Sequence, residues 1–246
     1  MLQIDINCDL GEGYPDDKLL MPFISSVNIA CGAHAGDEEL MRSTATLALQ
    51  HNLHIGAHPG FADRLNFGRA EQQLSDEQLY DLLTQQIYCM KKITDELGTS
   101  LHHVKPHGAL YNMSAKNSAI ADTIARAVRD VDAQLCLYGL SGSCSIAAAT
   151  AAGLTTWQEA FADRRYDDAG QLLSRTHPAA LIKETAFSCH QVLLMMTEQK
   201  AISVSGKMVP VKADTICIHG DAPGAAALAA TLFSFLQTHQ IGLRKK

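Results

Sequence analysis

Short apolar runs end, one after another, in clusters of His, Asp, Glu, Asn and Lys beside Gly, and no other feature constrains the fold of this chain as much. The clusters are Asp5-Ile6-Asn7-Cys8-Asp9-Leu10-Gly11-Glu12-Gly13, Asn28-Ile29-Ala30-Cys31-Gly32-Ala33-His34-Ala35-Gly36-Asp37, Gly56-Ala57-His58-Pro59-Gly60, Lys105-Pro106-His107-Gly108, Glu159-Ala160-Phe161-Ala162-Asp163-Arg164-Arg165-Tyr166 and His219-Gly220-Asp221. In an α/β barrel every strand delivers its C-terminal end to one rim, so polar groups scattered along the sequence converge on one pocket. The recurrence of such clusters at the same point of successive β-to-α units predicts an active site at that rim.

The segments between the clusters alternate in period. Strands are expected at residues 2–7, 26–30, 53–57, 101–105, 135–138, 155–160 and 215–218. Asp37, followed by Glu38 and Glu39, is placed to cap a helix with Leu40, Thr44, Leu47 and Ala48 on one face. Ser75-Asp76-Glu77-Gln78 is a capping box that opens a long helix with Leu79, Leu82, Leu83, Ile87, Met90, Ile93 and Leu97 on one stripe, stopped by Gly98. Further helices are expected through Ile120, Ile124, Val128 and Val131, and over residues 143–152, 184–199 and 225–237. Residues 202–205 and 208–211, joined by Gly206-Lys207, read as a small hairpin outside the repeat. The alternation implies an α/β fold, a TIM-like (β/α) barrel with right-handed crossovers and seven strand–helix units, one short of the usual eight. No Ser/Pro-rich linker interrupts it, which suggests a single barrel domain over residues 1–246.

Composition narrows the function. With 246 residues, 47% of them hydrophobic, the chain has enough apolar material for one large core. The formal net charge is −6 and the only basic run is Arg244-Lys245-Lys246, which argues against nucleic acid or an anionic membrane as partner. The first residues carry neither a basic n-region nor a long apolar h-region, and the Ala-rich stretch 224–236 is too short to span a bilayer. The seven Cys are dispersed with no Cys-x-x-Cys pair, as expected for reduced thiols of a cytoplasmic protein.

Within the clusters, period two sends Asp5, Asn7 and Asp9 to one face of a buried strand, and crowded carboxylates raise one another's pKa. Asp9 and Glu12 suit catalysis, or alternatively the capping of loops. His34 with Asp37 reads as a base held by a carboxylate or as a metal pair, but no His-Glu-x-x-His spacing supports a metal, which stays open. Lys105, at the end of a buried strand, suits an electrophile or carboxylate anchor with a lowered pKa, or an ion pair with Asp9 or Glu12. His58, His107, Asn28 and His219 are candidate substrate contacts. Arg164 or Arg165 suits a two-pronged contact with a substrate carboxylate, or else a surface salt-bridge cluster. Asp221 reads as a cap of the last helix, Cys31 as a nucleophile or an inert small hydrophobe, and Arg69 as part of a lid.

Four of these segments resemble, motif for motif, the LamB/YcsF family: Asn7-Cys8-Asp9-Leu10-Gly11-Glu12-Gly13, Asn28-Ile29-Ala30-Cys31-Gly32, His34-Ala35-Gly36-Asp37 and Lys105-Pro106-His107-Gly108-Ala109-Leu110-Tyr111-Asn112. The resemblance runs from Asp5 to the last helix. It implies an irregular seven-stranded barrel of the glycoside hydrolase/deacetylase-like group. It also implies the ATP-dependent opening of the 5-oxoproline lactam to glutamate, carried out with the partner subunits B and C of a 5-oxoprolinase. Under that reading Asp9, Glu12, His34, Asp37 and Lys105 are catalytic, and Asn7, Asn28, His58, His107, Arg164 and His219 bind substrate. The chain holds no Gly-x₄-Gly-Lys-Ser/Thr loop: Gly206-Lys207 is followed by Met208, with Ala201 where the first Gly would stand. ATP is therefore expected on a partner. The competing readings are a stand-alone metal-dependent deacetylase or amidohydrolase of the same barrel group, and a non-catalytic substrate-binding subunit.

Overall fold

The computed structural model describes residues 2–15, 17–174, 177–220 and 224–246. Seven parallel strands close a barrel: β1 (Leu2–Leu10), β2 (Ser26–Ala30), β3 (His54–His58), β4 (His103–Val104), β5 (Cys136–Leu140), β6 (Thr155–Phe161) and β9 (Thr215–Ile218). They pair in that order, and β9 returns to β1 through Asp5↔Thr215 and Asn7↔Cys217. β1 is long enough for its outer edge to serve two neighbours. Its upper half pairs with β9, while Leu2, Gln3 and Ile4 pair with β10 (Ile241–Leu243), a short C-terminal strand that sequence periodicity did not reveal. The small antiparallel sheet of β7 (Lys200–Ile202) and β8 (Met208–Pro210) lies outside the barrel as expected of the hairpin, but its first strand ends at Ile202 where the sequence suggested 202–205.

The helices cover the strands because their apolar stripes have nowhere else to be buried. α1 (Asp17–Leu20) and a 3₁₀ turn at Met21–Phe23 lead into β2. α2 (Glu38–Gln50) and α3 (Asp76–Glu96) follow β2 and β3. At the start of α3 the Ser75 hydroxyl accepts from the Gln78 backbone, and the Gln78 side chain returns to the Ser75 backbone. Leu83, Ile87 and Met90 of that helix are fully buried. α4 (Gly108–Ser114) and α5 (Ser118–Val131) follow β4, the latter capped by Asn117. α6 (Cys144–Ala151), α7 (Thr185–Glu198) and α8 (Ala225–Thr238) complete the wall. Among the described residues no helix is long and apolar enough to cross a membrane.

Candidate active site

Inside the barrel β1 stacks three polar side chains. Asp5, lowest, accepts from the hydroxyls of Ser25 (2.7 Å), Ser26 (2.6 Å) and Thr215 (2.5 Å). Burial raises its pKa in spite of these bonds. Asn7 donates to Glu159 Oε1 (2.9 Å) and Thr215 Oγ1 (2.7 Å). Asp9, at the top, receives the Asn28 amide (2.7 Å) and Lys105 Nζ (2.8 Å). Lys105 also reaches Glu159 (2.9 Å), Asn7 Oδ1 (3.2 Å) and Cys217 Sγ (3.2 Å).

This geometry corrects one expectation. Burial alone would lower the Lys105 pKa, but Asp9, Cys217 and Glu159 around the ammonium push it well above its ordinary value. With its proton held this way, Lys105 is a cation at neutral pH. Asp9 follows the same logic: burial pushes its pKa up, yet His58 and Lys105 hold the carboxyl well below the usual range. Asp5, at the bottom of the lumen, is a carboxylate whose pKa burial raises.

Four side chains gather beside Asp9. Ligand atoms of Glu12, His34, His58 and His107 all lie within 4.8 Å of one another. His58 Nδ1 lies 2.7 Å from the Lys105 carbonyl, which only accepts, so Nδ1 carries the proton and Nε2 presents a lone pair. His107 Nε2 faces the Phe67 carbonyl at 2.9 Å, so its Nδ1 presents a lone pair as well. These two lone-pair nitrogens are 2.9 Å apart. They tolerate that distance only with a positive charge between or upon them, either a proton on one ring or a bound cation. His34 stacks on His107 with ring centroids 3.8 Å apart, and neither of its ring nitrogens has a hydrogen-bond partner among the described residues. Burial, with neighbouring imidazoles adding to it, brings the pKa of His34 down to about 2 and that of His107 to about 3, so both are neutral near neutral pH. Glu12 Oε1 stands 3.7 Å from His34 and 3.6 Å from His107. Gly68, at φ +62°, lets the 61–69 loop press on this stack, since a Cβ there would lie 2.9 Å from His34 Cβ.

A cavity of about 450 Å³ opens above. Of the residues singled out in the sequence, Asp9, Glu12, His58, Lys105, His107, Arg164 and His219 line it, as does Arg69 of the expected lid. Asn7 and Asn28 lie beneath it, their amides committed to the lumen network. Asp37 is a correction. It is exposed and caps α2 by accepting from the Leu40 backbone (2.9 Å), and the carboxylate beside His34 is Glu12. Arg164 is buried rather than at the surface and donates to the Leu173 carbonyl (2.6 Å). His219 Nδ1 is held by Asp163 at 2.7 Å. Cys31 resolves toward the inert reading, because burial pushes its thiol up to about 12. Asp221 lies outside the described residues.

Sequence reasoning gave no role to His103, Thr215 or Cys217, and none of its own to Glu159, all of which enter the lumen network. A signal existed. His103 stands two residues before Lys105, and Thr215 alternates with Cys217, so the period of a strand places each pair on one face.

The closed seven-stranded parallel barrel, with a buried lysine, carboxylates and imidazoles at one rim, defines an α/β-barrel protein. The chain belongs to the LamB/YcsF family, whose model matches residues 4–246. It is 50% identical over 234 residues to the A subunit of 5-oxoprolinase from Tolumonas auensis, covering 93% of this chain and 92% of that one. It is 47% identical over 238 residues to the corresponding A subunit from Bacillus cytotoxicus, covering 95% and 94%. The crystal structure of a lactam utilization protein from Thermus thermophilus matches with a TM-score of 0.95 and 36% identity over 100% of both chains. A proposed cellobiose-phosphate cleavage protein from Enterococcus faecalis V583 shares the fold alone, with a TM-score of 0.58, 14% identity and coverage of 99% and 97%.

Proposed function

We propose that this chain, as one barrel domain, is the A subunit of an ATP-dependent 5-oxoprolinase, opening the lactam of 5-oxoproline to L-glutamate in the cytoplasm together with partner subunits B and C. The observation that carries the reading is the near-full-length similarity to 5-oxoprolinase A subunits, and the charged, imidazole-rich cavity floor suits the chemistry. Lactam opening requires attack by water on a poorly electrophilic amide carbonyl. The facing nitrogens of His58 and His107, which share one positive charge, and the neutral imidazole of His34 stacked beside them form the cluster suited to relay the proton of that water. Asp9, anionic and 3.4 Å from His58 Nε2, stabilises the imidazolium that forms. Lys105 keeps Asp9 anionic and supplies positive potential beneath the developing oxyanion. Arg164 and His219 are the candidates for the substrate carboxylate, and Glu12 with His34 completes the basic cluster. Asn7 and Asn28 act from below by orienting Asp9 and Lys105. Closure of glutamate to its lactam is favourable, so opening draws on ATP. With no phosphate-binding loop in this sequence, a partner chain is the one suited to bind it.

The donor set of Glu12, His34, His58 and His107 also fits a divalent cation of the zinc class: three imidazoles and one carboxylate, with the second nitrogens of His58 and His107 bonded to carbonyls. Such an ion would polarise a carbonyl or a water there. Elemental analysis after dialysis distinguishes the two ways of neutralising the facing lone pairs. About one equivalent of metal, lost in His34→Ala, supports the cation, and none supports the shared proton. The functional reading itself is tested by ATP-dependent glutamate release from 5-oxoproline with subunits B and C, with and without this chain. Release that is independent of this chain refutes it.

A further inference from the structure

Beneath Asp9 a hydrogen-bonded chain descends through the barrel lumen toward the opposite rim. The Asn28 amide nitrogen lies 2.7 Å from Asp9 Oδ1 and 2.7 Å from Asn7 Oδ1. Asn28 Oδ1 lies 2.7 Å from His103 Nε2, and His103 Nδ1 lies 3.1 Å from His102 Nδ1. The direction of every bond follows from the top. Asp9 is ionised and only accepts. Asn7 gives its own NH₂ to Glu159, so its Oδ1 also accepts. The NH₂ of Asn28 must therefore face upward and its carbonyl downward. His103 must then carry its proton on Nε2. Burial, reinforced by the neighbouring His102, holds its pKa well below the ordinary value, so this is a neutral ring whose Nδ1 accepts from His102. All donors point toward Asp9, an order in which each bond polarises the next.

His103 touches no part of the cavity, yet its placement is tightly specified. It is fully buried and stacks on Tyr138 with centroids 3.9 Å apart. Across from it stands Gly56, where a Cβ would lie 2.1 Å from His103 Nε2 and 2.3 Å from Cδ2. Any other residue at 56 would displace the ring. If Asn28 turned over, its Oδ1 would face the Asp9 carboxylate and Asn7 Oδ1, replacing two donated hydrogen bonds by contacts between acceptors that have only the Lys105 ammonium beside them.

We infer that His103 is a positioning residue for the reaction: its Nε2–H locks the Asn28 amide in the single orientation that presents N–H to Asp9 and Asn7, and thereby fixes the Asp9–Lys105 pair at the cavity floor. The inference rests on the proposed role of Asp9 and Lys105. The test uses the assembled enzyme with subunits B and C. His103→Phe keeps the ring stack but removes the donor, His103→Gln retains a donor, and Gly56→Ala pushes the ring aside without removing any hydrogen-bonding group. Phe at 103 and Ala at 56 should each lower kcat roughly tenfold to hundredfold with KM within about threefold, the scale of a small misplacement, while Gln at 103 recovers most of kcat. Nitrogen-15 NMR of the wild-type chain should show His103 protonated at Nε2 alone, a readout that requires no variant to fold. An Nδ1–H tautomer, wild-type kcat in His103→Phe, or equal loss in the Phe and Gln variants would overturn the inference. Asp9→Asn is the control: full activity there refutes the catalytic reading itself, whereas an inactive Asp9→Asn beside a normal His103→Phe refutes the positioning role alone.

Discussion

Lys105→Met is the perturbation that most directly separates catalysis from support. The lysine side chain is 3% exposed, and its two carboxylate partners, at 2.8 and 2.9 Å, are 15% and 0% exposed. Methionine fills the volume but leaves Asp9 and Glu159 facing each other without a cation. Removing one partner of a buried ion pair costs about 3–5 kcal/mol, because the remaining charge is left uncompensated. Against a folding stability of roughly 5–15 kcal/mol, that weakens the barrel without unfolding it. For a chain of this size the melting temperature should drop by about 10 °C. Turnover in the assembled enzyme should fall roughly a hundredfold or more, the range of a lost electrostatic group. The double variant Lys105→Met/Glu159→Gln removes one orphaned charge. It should regain part of the melting temperature and none of the turnover, since Asp9 still lacks its anchor. The assays are circular-dichroism melts of the isolated chain and ATP-dependent glutamate release by the complex. An unchanged melt in the single variant, or turnover regained in the double variant, refutes the reasoning.

Three further outcomes are expected. Cys31→Ala should keep kcat within about twofold of wild type in the glutamate-release assay, because a thiol pushed up to about 12 by burial is not a nucleophile at neutral pH. The isolated chain should release no glutamate from 5-oxoproline and ATP, and calorimetry should detect no tight ATP binding to it. Stability should fall on the acid side through the half-buried His102, which stacks on His54, contacts His103 and Trp157, and lies near Lys246. Burial brings its folded pKa down to about 4 from an ordinary 6.5, so below pH 6.5 the unfolded chain binds more protons than the native one. The resulting loss of stability develops between pH 6.5 and 4 and reaches on the order of 3 kcal/mol. Denaturant melts of His102→Gln should show a flatter pH dependence over that interval, and an unchanged slope contradicts the assignment.

What could be seen in the sequence was whatever a strand or helix period carries locally. Residues 26–30 and 215–218 were located to the residue, because buried parallel strands are short apolar runs bounded by polar clusters. β1 runs three residues further than the expected 2–7, since Asp9 so close to Gly11 suits a turn until a lumen exists to receive it. β10 was invisible, as three residues cannot establish a period. The site was legible where one strand brings its own residues together and misread where closure decides the partner. His34 and Asp37 are neighbours in sequence, yet Asp37 turns away to cap α2, and Glu12 arrives from the loop after β1. The meeting of His58 with Lys105 and His107 follows instead from register. Ala57 pairs with Val104, so the next step upward sets His58 beside Lys105, and its ring reaches the Lys105 carbonyl. Gly56 shows the limit most clearly. In the sequence it reads as one more glycine near a rim turn. In the barrel it sits one step below that pairing, opposite His103, and its missing side chain makes room for the imidazole beneath Asn28 and Asp9.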